Sequence, residues 1–237
     1  MKPKPLRFQG VYSRARDIAT LNLVPGERVY GEEIFRSEGQ EYRVWDPRRS
    51  KLSAYLHKGG TIFPFKRESR VLYLGAASGT TASHLSDICA EGQIFCVEIA
   101  PKPFQKLVAL SSRRRNLFPI LADAAQPGRY AHVVGRVDVV YQDIASRDQA
   151  QVFLANLRAC LSRDGAGIIA VKARSIDVSS PPSQVYERVK GTISKGYDLL
   201  EAIRLDPYEK DHAVMVWQSK PRDRWQPSQG QQPQPCP

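Results

Sequence analysis

Histidine and cysteine are scarce in this sequence, and each occurs four times in 237 residues. Cys89, Cys96, Cys160 and Cys236 show no C-x-x-C spacing, and the histidines are scattered along the chain. Disulfide frameworks and zinc sites usually place their cysteines at short, repeated spacings. We therefore expect reduced thiols and no metal site.

Long apolar runs are also absent. No stretch approaches the roughly 20 apolar residues that a membrane-spanning helix needs. The basic segment 1–5 is not followed by the apolar region of a secretory signal. We therefore expect a cytoplasmic protein without a membrane partner.

Acidic residues are in the minority: 35 Lys and Arg face 24 Asp and Glu, which gives a formal net charge of +11. Such an excess favours a polyanionic partner, above all nucleic acid, although a solvated basic surface explains it equally well. The basic residues cluster at 48–51, 66–67, 113–115 and 172–174. Arg113–Arg115 follows a predicted helix, where cations favour the C-terminal dipole.

From about residue 70 the sequence alternates between short apolar runs and helical segments. The predicted strands are 71–74, 93–97, 118–121, 137–142, 166–171, 198–205 and 212–218, and the predicted helices are 80–89, 101–113, 148–161 and 182–195. This alternation predicts an α/β fold with a doubly wound, mostly parallel seven-stranded sheet. The last two strands are expected to form an antiparallel pair at one edge.

The predicted organisation has three parts: a small β-rich N-terminal domain over 1–62, the main domain over 63–220, and a Pro/Gln-rich tail over 221–237 that we expect to be disordered. Within the first part we predict strands at 8–12 and 27–31, a hairpin formed by 33–36 and 41–45, and a short helix at 50–57. So small a region cannot hold a large core, and we expect it to dock on the main domain.

The most informative segment is 71–81, VLYLGAASGTT, in which a buried strand ends in a turn of small residues before a helix. Glycine lets the backbone approach a ligand closely, and Thr80 and Thr81 occupy positions typical of helix N-caps. The turn is not G-x-G-x-x-G and has no P-loop lysine, so a cofactor with ribose but no phosphates, such as S-adenosylmethionine, fits it best. Strand-to-helix turns of small residues also occur where they serve only close packing and bind no ligand.

Polar groups follow the next strands as well. Glu98 ends the strand 93–97 and can bind ribose hydroxyls, as in Rossmann folds, and Asp123 follows 118–121 and can accept from an adenine amino group. Each acid alone also fits an ordinary strand-end or cap carboxylate. The predicted cofactor-binding residues are Gly75, Ala76, Ser78, Thr80, Thr81, Glu98, Ile99, Asp123, Ala124, Gln142, Asp143, Ile144, Ala145 and Ser146.

Lys172 follows the apolar strand 166–171, and Asp143 follows a neighbouring strand. A lysine at such a strand end is desolvated unless it is paired. We therefore predict an ion pair between Lys172 and Asp143, which is either functional or purely structural.

Five segments in this order resemble fibrillarin, specifically the short archaeal form. They are 43–52 (RVWDPRRSKL), 71–81, 141–145 (YQDIA), 171–177 (VKARSID) and 206–212 (DPYEKDH). The resemblance spans roughly residues 8–218. The chain lacks the Gly/Arg-rich extension of the eukaryotic form. It has Glu98-Ile99-Ala100 where the family usually has Glu-Phe-Ser, which removes an aromatic ring expected against the cofactor.

The resemblance implies a Rossmann-like methyltransferase that methylates ribose 2′-oxygens of rRNA, with tRNA as a further target, using S-adenosylmethionine. The target is chosen by a guide RNA within a box C/D ribonucleoprotein. The implied protein partners are a Nop-family scaffold protein and a ribosomal-L7-like RNA-binding protein, and the implied location is the cytoplasm of a prokaryotic cell.

The resemblance also implies a reactive set: Lys51, Asp143, Lys172 and the pair Asp211–His212, of which either member can be the fourth group. We hypothesise that Lys172 orients or deprotonates the 2′-hydroxyl and that Asp143 fixes Lys172 and holds the methyl end of the cofactor. Lys51 would steer the ribose or phosphate and stabilise negative charge on the oxygen. RNA contacts are expected at Arg49, Lys51 and Arg174.

Two other functions stay open. The first is methylation of protein side chains, for which related enzymes carry an Asn/Asp-Pro-Pro-Tyr/Phe motif after the fourth strand. That place holds 142–145 here, and the similar Asp206-Pro207-Tyr208 lacks the second proline and comes too late. The second is a non-catalytic RNA-binding scaffold, which would require a lost pocket or a lost reactive lysine, since a fold does not by itself fix a function.

Overall fold

The computed structural model of the protein describes residues 2–220, so the predicted disordered tail and Cys236 lie outside the described residues. Two sheets are present. The smaller is antiparallel with the order β1-β2-β3-β5-β4. Its strands are β1 Lys4–Pro5, β2 Val11–Arg14, β3 Asp17–Leu21, β4 Ile34–Ser37 and β5 Gln40–Val44.

The larger sheet has seven strands in the order β11-β12-β10-β9-β6-β7-β8. They are β6 Arg70–Leu74, β7 Gln93–Glu98, β8 Leu117–Leu121, β9 Val137–Gln142, β10 Leu161–Lys172, β11 Tyr197–Arg204 and β12 His212–Ser219. Strands β6 to β10 run parallel, and β12 is antiparallel to both β10 and β11. The predicted fold, including its antiparallel edge pair, is confirmed.

Helices cover both faces of the large sheet. They are α1 Lys51–His57, α2 Thr80–Ile88, α3 Pro101–Ser111, α4 Ala131–Val134, α5 Gln149–Cys160, α6 Ala173–Ile176 and α7 Pro182–Ile193. Successive strand residues point to opposite faces, so Val71 and Tyr73 pack with α1, α2 and α3, whereas Leu72 and Leu74 pack with α5 and α7. Burial on both faces explains why these strands are apolar throughout.

The N-terminal sheet docks on the large sheet through α2. Trp45 is fully buried and stacks on His84 with ring centroids 5.0 Å apart. Beside it, Arg43 Nη1 lies 2.8 Å from Asp87 Oδ2, and Arg114 Nη1 lies 2.6 Å from Asp87 Oδ1. All three charged side chains are fully buried, so Arg114 belongs to the core and not to a basic surface cluster.

In the N-terminal region one predicted strand is wrong, and a strand is present that the sequence did not predict. Residues 27–31 form a loop, because the amides of Val29 and Tyr30 donate to the carboxylate of Glu32 at 2.8–3.1 Å instead of joining a ladder. The strand β3, which the sequence did not predict, pairs with β2 and β5. The predicted hairpin is confirmed as β4–β5. The predicted domain boundary at residue 62 stays a prediction.

Cys89, Cys96 and Cys160 are buried free thiols, as expected. Between residues 2 and 220, no helix is long and apolar enough to cross a membrane. The same part of the chain contains no group of three His, Cys, Asp or Glu side chains placed to hold a metal ion.

Candidate active site

The candidate site lies at one edge of the large sheet, where the carboxyl ends of β6 to β10 meet. Gly75 opens the turn after β6 with φ +82°, a left-handed conformation that glycine adopts without strain. A Cβ on Gly75 would lie 2.4 Å from the backbone oxygen of Asp143. The turn therefore packs directly against the backbone that follows β9, and no larger residue fits there.

The predicted role of Thr80 and Thr81 as helix caps is wrong. The N-cap of α2 is Gly79, and the threonines are the first two helical residues. Thr81 is buried, and its hydroxyl donates to Ser50 Oγ at 2.9 Å. Ser50 is in turn the N-cap of α1, accepting from Ser53 N at 3.4 Å. Ser50, which the sequence analysis missed as a site residue, thus joins the start of α1 to the start of α2. The available signal was a serine at the start of the predicted helix 50–57.

The two acids predicted to hold a cofactor lie at this edge. Glu98 is buried at the end of β7 and accepts from Ala77 N at 2.8 Å and from Ala100 N at 2.7 Å. Asp123, just after β8, accepts from Ala125 N at 2.8 Å. Carboxylate oxygens have two lone pairs each, so both side chains are held in place and can still accept from ribose hydroxyls or an amino group.

The remaining predicted cofactor residues divide into a surface set and a buried set. The surface set lines the turns: Ser78, Thr80, Ile144 and Ser146 are partly exposed, and Ala145 is exposed. Ile99 is 62% exposed and gives the edge an apolar surface beside Glu98. Ala76, Ala124 and Gln142 are buried, and Ala124 offers its carbonyl to Asn156 Nδ2 at 2.9 Å.

Gln142 supports the site from behind. It is fully buried, and its Nε2 donates to the carbonyl of Gln149 at 2.8 Å. Gln149, also fully buried, binds the backbone of Lys172 twice: Oε1 accepts from Lys172 N at 3.0 Å, and Nε2 donates to Lys172 O at 3.2 Å. Gln149 was missed because nothing in the sequence distinguishes it from any other polar residue in the first turn of a helix.

The predicted ion pair between Lys172 and Asp143 is wrong. Asp143 pairs instead with Lys51, whose Nζ lies 3.0 Å from Oδ1 and 3.1 Å from Oδ2. Lys51 is the first residue of α1, and the docking of that helix brings its ammonium to the end of β9. Over residues 2–220, the Nζ of Lys172 has neither a hydrogen bond nor a carboxylate within 4.0 Å, so it is available to a substrate.

His212 begins β12 and lies directly opposite Lys172 in the antiparallel β10–β12 ladder. Burial lowers its pKa, and the nearby ammonium of Lys51 lowers it further. The imidazole is therefore neutral near pH 7. Its Nδ1 lies 2.7 Å from the carbonyl of Lys210, and because a carbonyl only accepts, Nδ1 holds the proton and Nε2 carries the free lone pair.

The other predicted residues lie around this group. Asp211 turns its carboxylate to Arg174, whose Nε lies 3.0 Å from Oδ2. Arg174 and Arg49 are exposed, and the Arg49 guanidinium lies 5.8 Å from the centre of the Tyr30 ring. The structure therefore brings together Lys51, Asp143, Lys172 and His212, with Asp211 and the two arginines at the border.

The profile of the fibrillarin family matches residues 2–221. The chain is also 48% identical over 219 residues to a fibrillarin-like rRNA/tRNA 2′-O-methyltransferase of Pyrococcus furiosus, across 90% of this chain and 96% of that protein. The chain belongs to the fibrillarin family.

Solved fibrillarins share its fold. The fibrillarin of Aeropyrum pernix, determined with natively bound S-adenosyl-L-methionine, is 45% identical with a TM-score of 0.84, across 92% of this chain and 98% of that one. A fibrillarin determined in a complex with Nop5p is 39% identical with a TM-score of 0.85, across 92% of this chain and all of that one. The fold that the sequence predicts is thus the fold of fibrillarins.

Proposed function

We propose that this protein transfers a methyl group from S-adenosylmethionine to the 2′-oxygen of ribose in rRNA and tRNA, at sites chosen by a guide RNA in a box C/D ribonucleoprotein. The observation that carries this proposal is the group formed by Lys51–Asp143, Lys172 and neutral His212 beside a cofactor-binding edge. The name of the Pyrococcus furiosus relative, which is 48% identical, supports the reaction.

The residues at the sheet edge fit the proposed cofactor. Glu98 and Asp123 have lone pairs for ribose hydroxyls and an adenine amino group, and exposed Ile99 offers an apolar surface to a ring. The turn that begins at Gly75 touches the backbone of Asp143, and its Ala77 N donates to Glu98, so the turn joins Glu98 to Asp143. When bound, S-adenosylmethionine supplies an electrophilic methyl group.

The chain's own residues prepare the hydroxyl, which is a weak acid and a poor nucleophile unless a base assists it. The Nε2 lone pair of His212 is the acceptor for the hydroxyl proton. Lys172, with its ammonium unpaired within the described residues, orients the 2′-oxygen.

Asp143 fixes Lys51, whose remaining N–H capacity can serve a ribose or phosphate oxygen and stabilise the negative charge that develops there. The ion pair between Lys51 and Asp143 supports a role for Asp143 in holding Lys51, in place of the role in fixing Lys172 that we hypothesised from the sequence.

The proposed assembly contains a box C/D guide RNA, the target RNA, a Nop-family scaffold and an L7-like RNA-binding protein, in the cytoplasm. The Nop partner is supported by the related fibrillarin that was solved with Nop5p. The net charge of +11 supports RNA partners. Target choice resides in the guide, so the isolated chain is expected to show little activity and little sequence preference.

The test is a reconstituted complex of this chain with the scaffold, the L7-like protein, a guide and labelled S-adenosylmethionine. The labelled RNA is digested to nucleosides, and the proteins are separated and counted. Label in a 2′-O-methyl nucleoside at the matched position supports the proposal. Label in protein would support side-chain methylation instead, and cofactor binding without transfer would support a non-catalytic scaffold.

A further inference from the structure

Arg174 follows Lys172 by two residues, and its guanidinium is engaged within the protein. Its Nε donates to Asp211 Oδ2 at 3.0 Å, and its Nη1 donates to the carbonyl of Val178 at 2.9 Å. These contacts join the two loops beside the reactive group: residues 177–181, which precede α7, and residues 205–211, which connect β11 to β12. An arginine placed only to contact RNA would not need either bond.

The two contacts of Arg174, to Asp211 and to Val178, form a link between the loops, and Asp211 is the residue of this link that lies next to the reactive group. Its φ is +58°, in the left-handed region that residues other than glycine enter rarely and aspartate more readily than most. Two contacts hold it there: its carbonyl accepts from Ala173 N at 3.1 Å, and its carboxylate accepts from Arg174. The next residue is His212, opposite Lys172. The conformation of Asp211 therefore decides how His212 enters its strand.

The other end of the link is anchored as well. Asp177 accepts from the backbone amides of Ser179 and Ser180 at 2.9 and 3.2 Å and from Arg188 Nη2 at 2.7 Å. Arg188 lies on α7, so the carbonyl of Val178 that receives Arg174 belongs to a segment tied to a twelve-residue helix. Arg174 thus connects Asp211 to a fixed support.

We propose that Arg174 is a positioning residue for methyl transfer: by holding Asp211 against the 177–181 segment, it keeps His212 in register with Lys172. This inference rests on the proposed function. Two N–H vectors at a fixed angle are needed to reach both acceptors, and a lysine ammonium on a flexible chain cannot replace them. Charge alone would therefore not suffice at this position.

The first test compares Arg174→Lys with Arg174→Ala in the assembled complex. Positioning predicts that both variants lose kcat by about tenfold to a hundredfold, while KM for the target RNA stays within about twofold of wild type. A contact to RNA phosphate predicts the opposite: a raised KM for Arg174→Ala, a weaker salt dependence and near-complete rescue by Arg174→Lys. That second pattern would overturn the inference.

Arg147→Ala is the matched control. Arg147 is exposed in the loop that follows β9, and the described residues show no hydrogen bond or ion pair from its side chain. The variant removes the same charge without touching Asp211, and its kcat should equal that of wild type. An equal loss of kcat in Arg147→Ala and Arg174→Ala would mean that charge alone matters, which would contradict a positioning role.

A double-mutant cycle tests the link itself. Asp211→Asn keeps an acceptor oxygen and tolerates the left-handed backbone, so it should retain more activity than Asp211→Ala. The double variant Arg174→Ala/Asp211→Ala should be no slower than the slower single variant, because the two residues act as one unit. Independent, multiplicative losses would contradict the link.

A measurement that does not depend on methyl transfer tests the positioning role of Arg174 independently of the proposed function. The ring resonances of His212, followed by NMR in the isolated chain, should shift in Arg174→Ala and stay unchanged in Arg147→Ala. Unchanged resonances in Arg174→Ala would overturn the positioning role. Failure of the wild-type complex to methylate RNA would overturn the proposed function alone.

Discussion

The two lysines at the end of the sheet are in different electrostatic situations. Lys51 shares a carboxylate with Asp143, and both side chains are only 19% exposed. Lys172 is fixed through its backbone by buried Gln149, and its ammonium has no acidic partner among residues 2–220. The side chain of Lys51 is therefore held by an ion pair. Lys172 is held through its backbone hydrogen bonds, and its ammonium remains available to a substrate.

Replacing Lys172 by alanine should abolish methyl transfer and leave the cofactor in place. The loss should be about a hundredfold or more, the usual contribution of a group that assists proton transfer or orients the nucleophile. Single-turnover transfer in the assembled complex measures the reaction, and calorimetric titration with S-adenosylmethionine measures binding. Activity within a few-fold of wild type would show that Lys172 has no such role.

At this scale the sequence predicted candidate reactive residues but not the partner of Asp143. Asp143 and Lys172 were predicted from their positions at strand ends, and Lys51 was predicted from the resemblance to fibrillarin. The choice of Lys51 as the partner of Asp143 depends on the docking of α1, which involves contacts between residues 92 positions apart. Strand adjacency, on which the wrong pairing was based, carries no information about such a helix.

At the scale of single elements, the turn between β6 and α2 depends on Gly75. Gly75→Ala should destabilise the protein, because the residue has φ +82° and a Cβ would lie 2.4 Å from the Asp143 carbonyl. Overpacking against a backbone that cannot move costs about 1–3 kcal/mol, in addition to the strain of a left-handed alanine. Denaturant unfolding measures the change.

Gly191→Ala is the control for this prediction. Gly191 lies inside α7, and a Cβ there would have no neighbour within 4 Å. Alanine in a helix interior is favoured over glycine by about 1 kcal/mol, so this variant should be at least as stable as wild type. A Gly75→Ala protein as stable as Gly191→Ala would contradict the packing argument.

The contact between α2 and the N-terminal sheet makes stability depend on pH. Burial places the pKa of His84 well below its usual range, and the guanidinium groups of Arg43 and Arg114 lower it further. The unfolded chain then binds a proton near pH 6.5 that the folded protein does not bind, so stability is full above that pH and falls below it. The loss from this residue between pH 7 and pH 5 should be at most about 2 kcal/mol, the limit for a histidine that stays neutral in the folded protein.

Urea unfolding of wild type and His84→Gln at several pH values between 7 and 5 measures this effect. The variant should lose less stability on acidification, although His212, whose pKa is also lowered, leaves a residual slope in both proteins. Equal slopes in the two proteins would mean that His84 is protonated in the folded state.

Helices and strands in which apolar residues recur with a clear period were predictable from the sequence. Elements that depend on contacts with residues distant in the sequence were not. The β4–β5 hairpin and the alternation from β6 onward were confirmed because apolar pattern and turn residues agree there. The strand β3 lacks a strong alternating pattern and exists through its pairing with β2 and β5. The 27–31 segment has strand-forming residues, yet Glu32 binds its amides.

At the scale of the whole molecule, buried charges fasten the N-terminal sheet to the methyltransferase fold. Arg43 reaches Glu32 at 2.6 Å and Asp87 at 2.8 Å, and Arg114 reaches Asp87 at 2.6 Å. From the sequence, Arg113–Arg115 was expected to be a basic cluster that follows a helix and favours its C-terminal dipole. A buried arginine is recognisable only when its acidic partner on another element is known.

Asp87→Ala should destabilise the whole protein, because it leaves the buried guanidinium of Arg114 without a counter-charge and that of Arg43 with Glu32 alone. Removing one partner of a buried ion pair costs about 3–5 kcal/mol. Since Asp87 lies between the two sheets, calorimetry should show one transition at a lower Tm. A wild-type-like Tm, or a separate early transition confined to the N-terminal region, would contradict this account of how the two sheets are joined.

The proposed function depends above all on the atom that receives the methyl group. In the reconstituted complex, two target RNAs that differ only at the guide-matched nucleotide, one with ribose and one with 2′-deoxyribose, are incubated with labelled S-adenosylmethionine, and the label in RNA is counted. Methylation of the 2′-oxygen predicts label in the ribose RNA and none in the deoxy RNA. Equal labelling of the two RNAs would contradict a reaction at the 2′-oxygen.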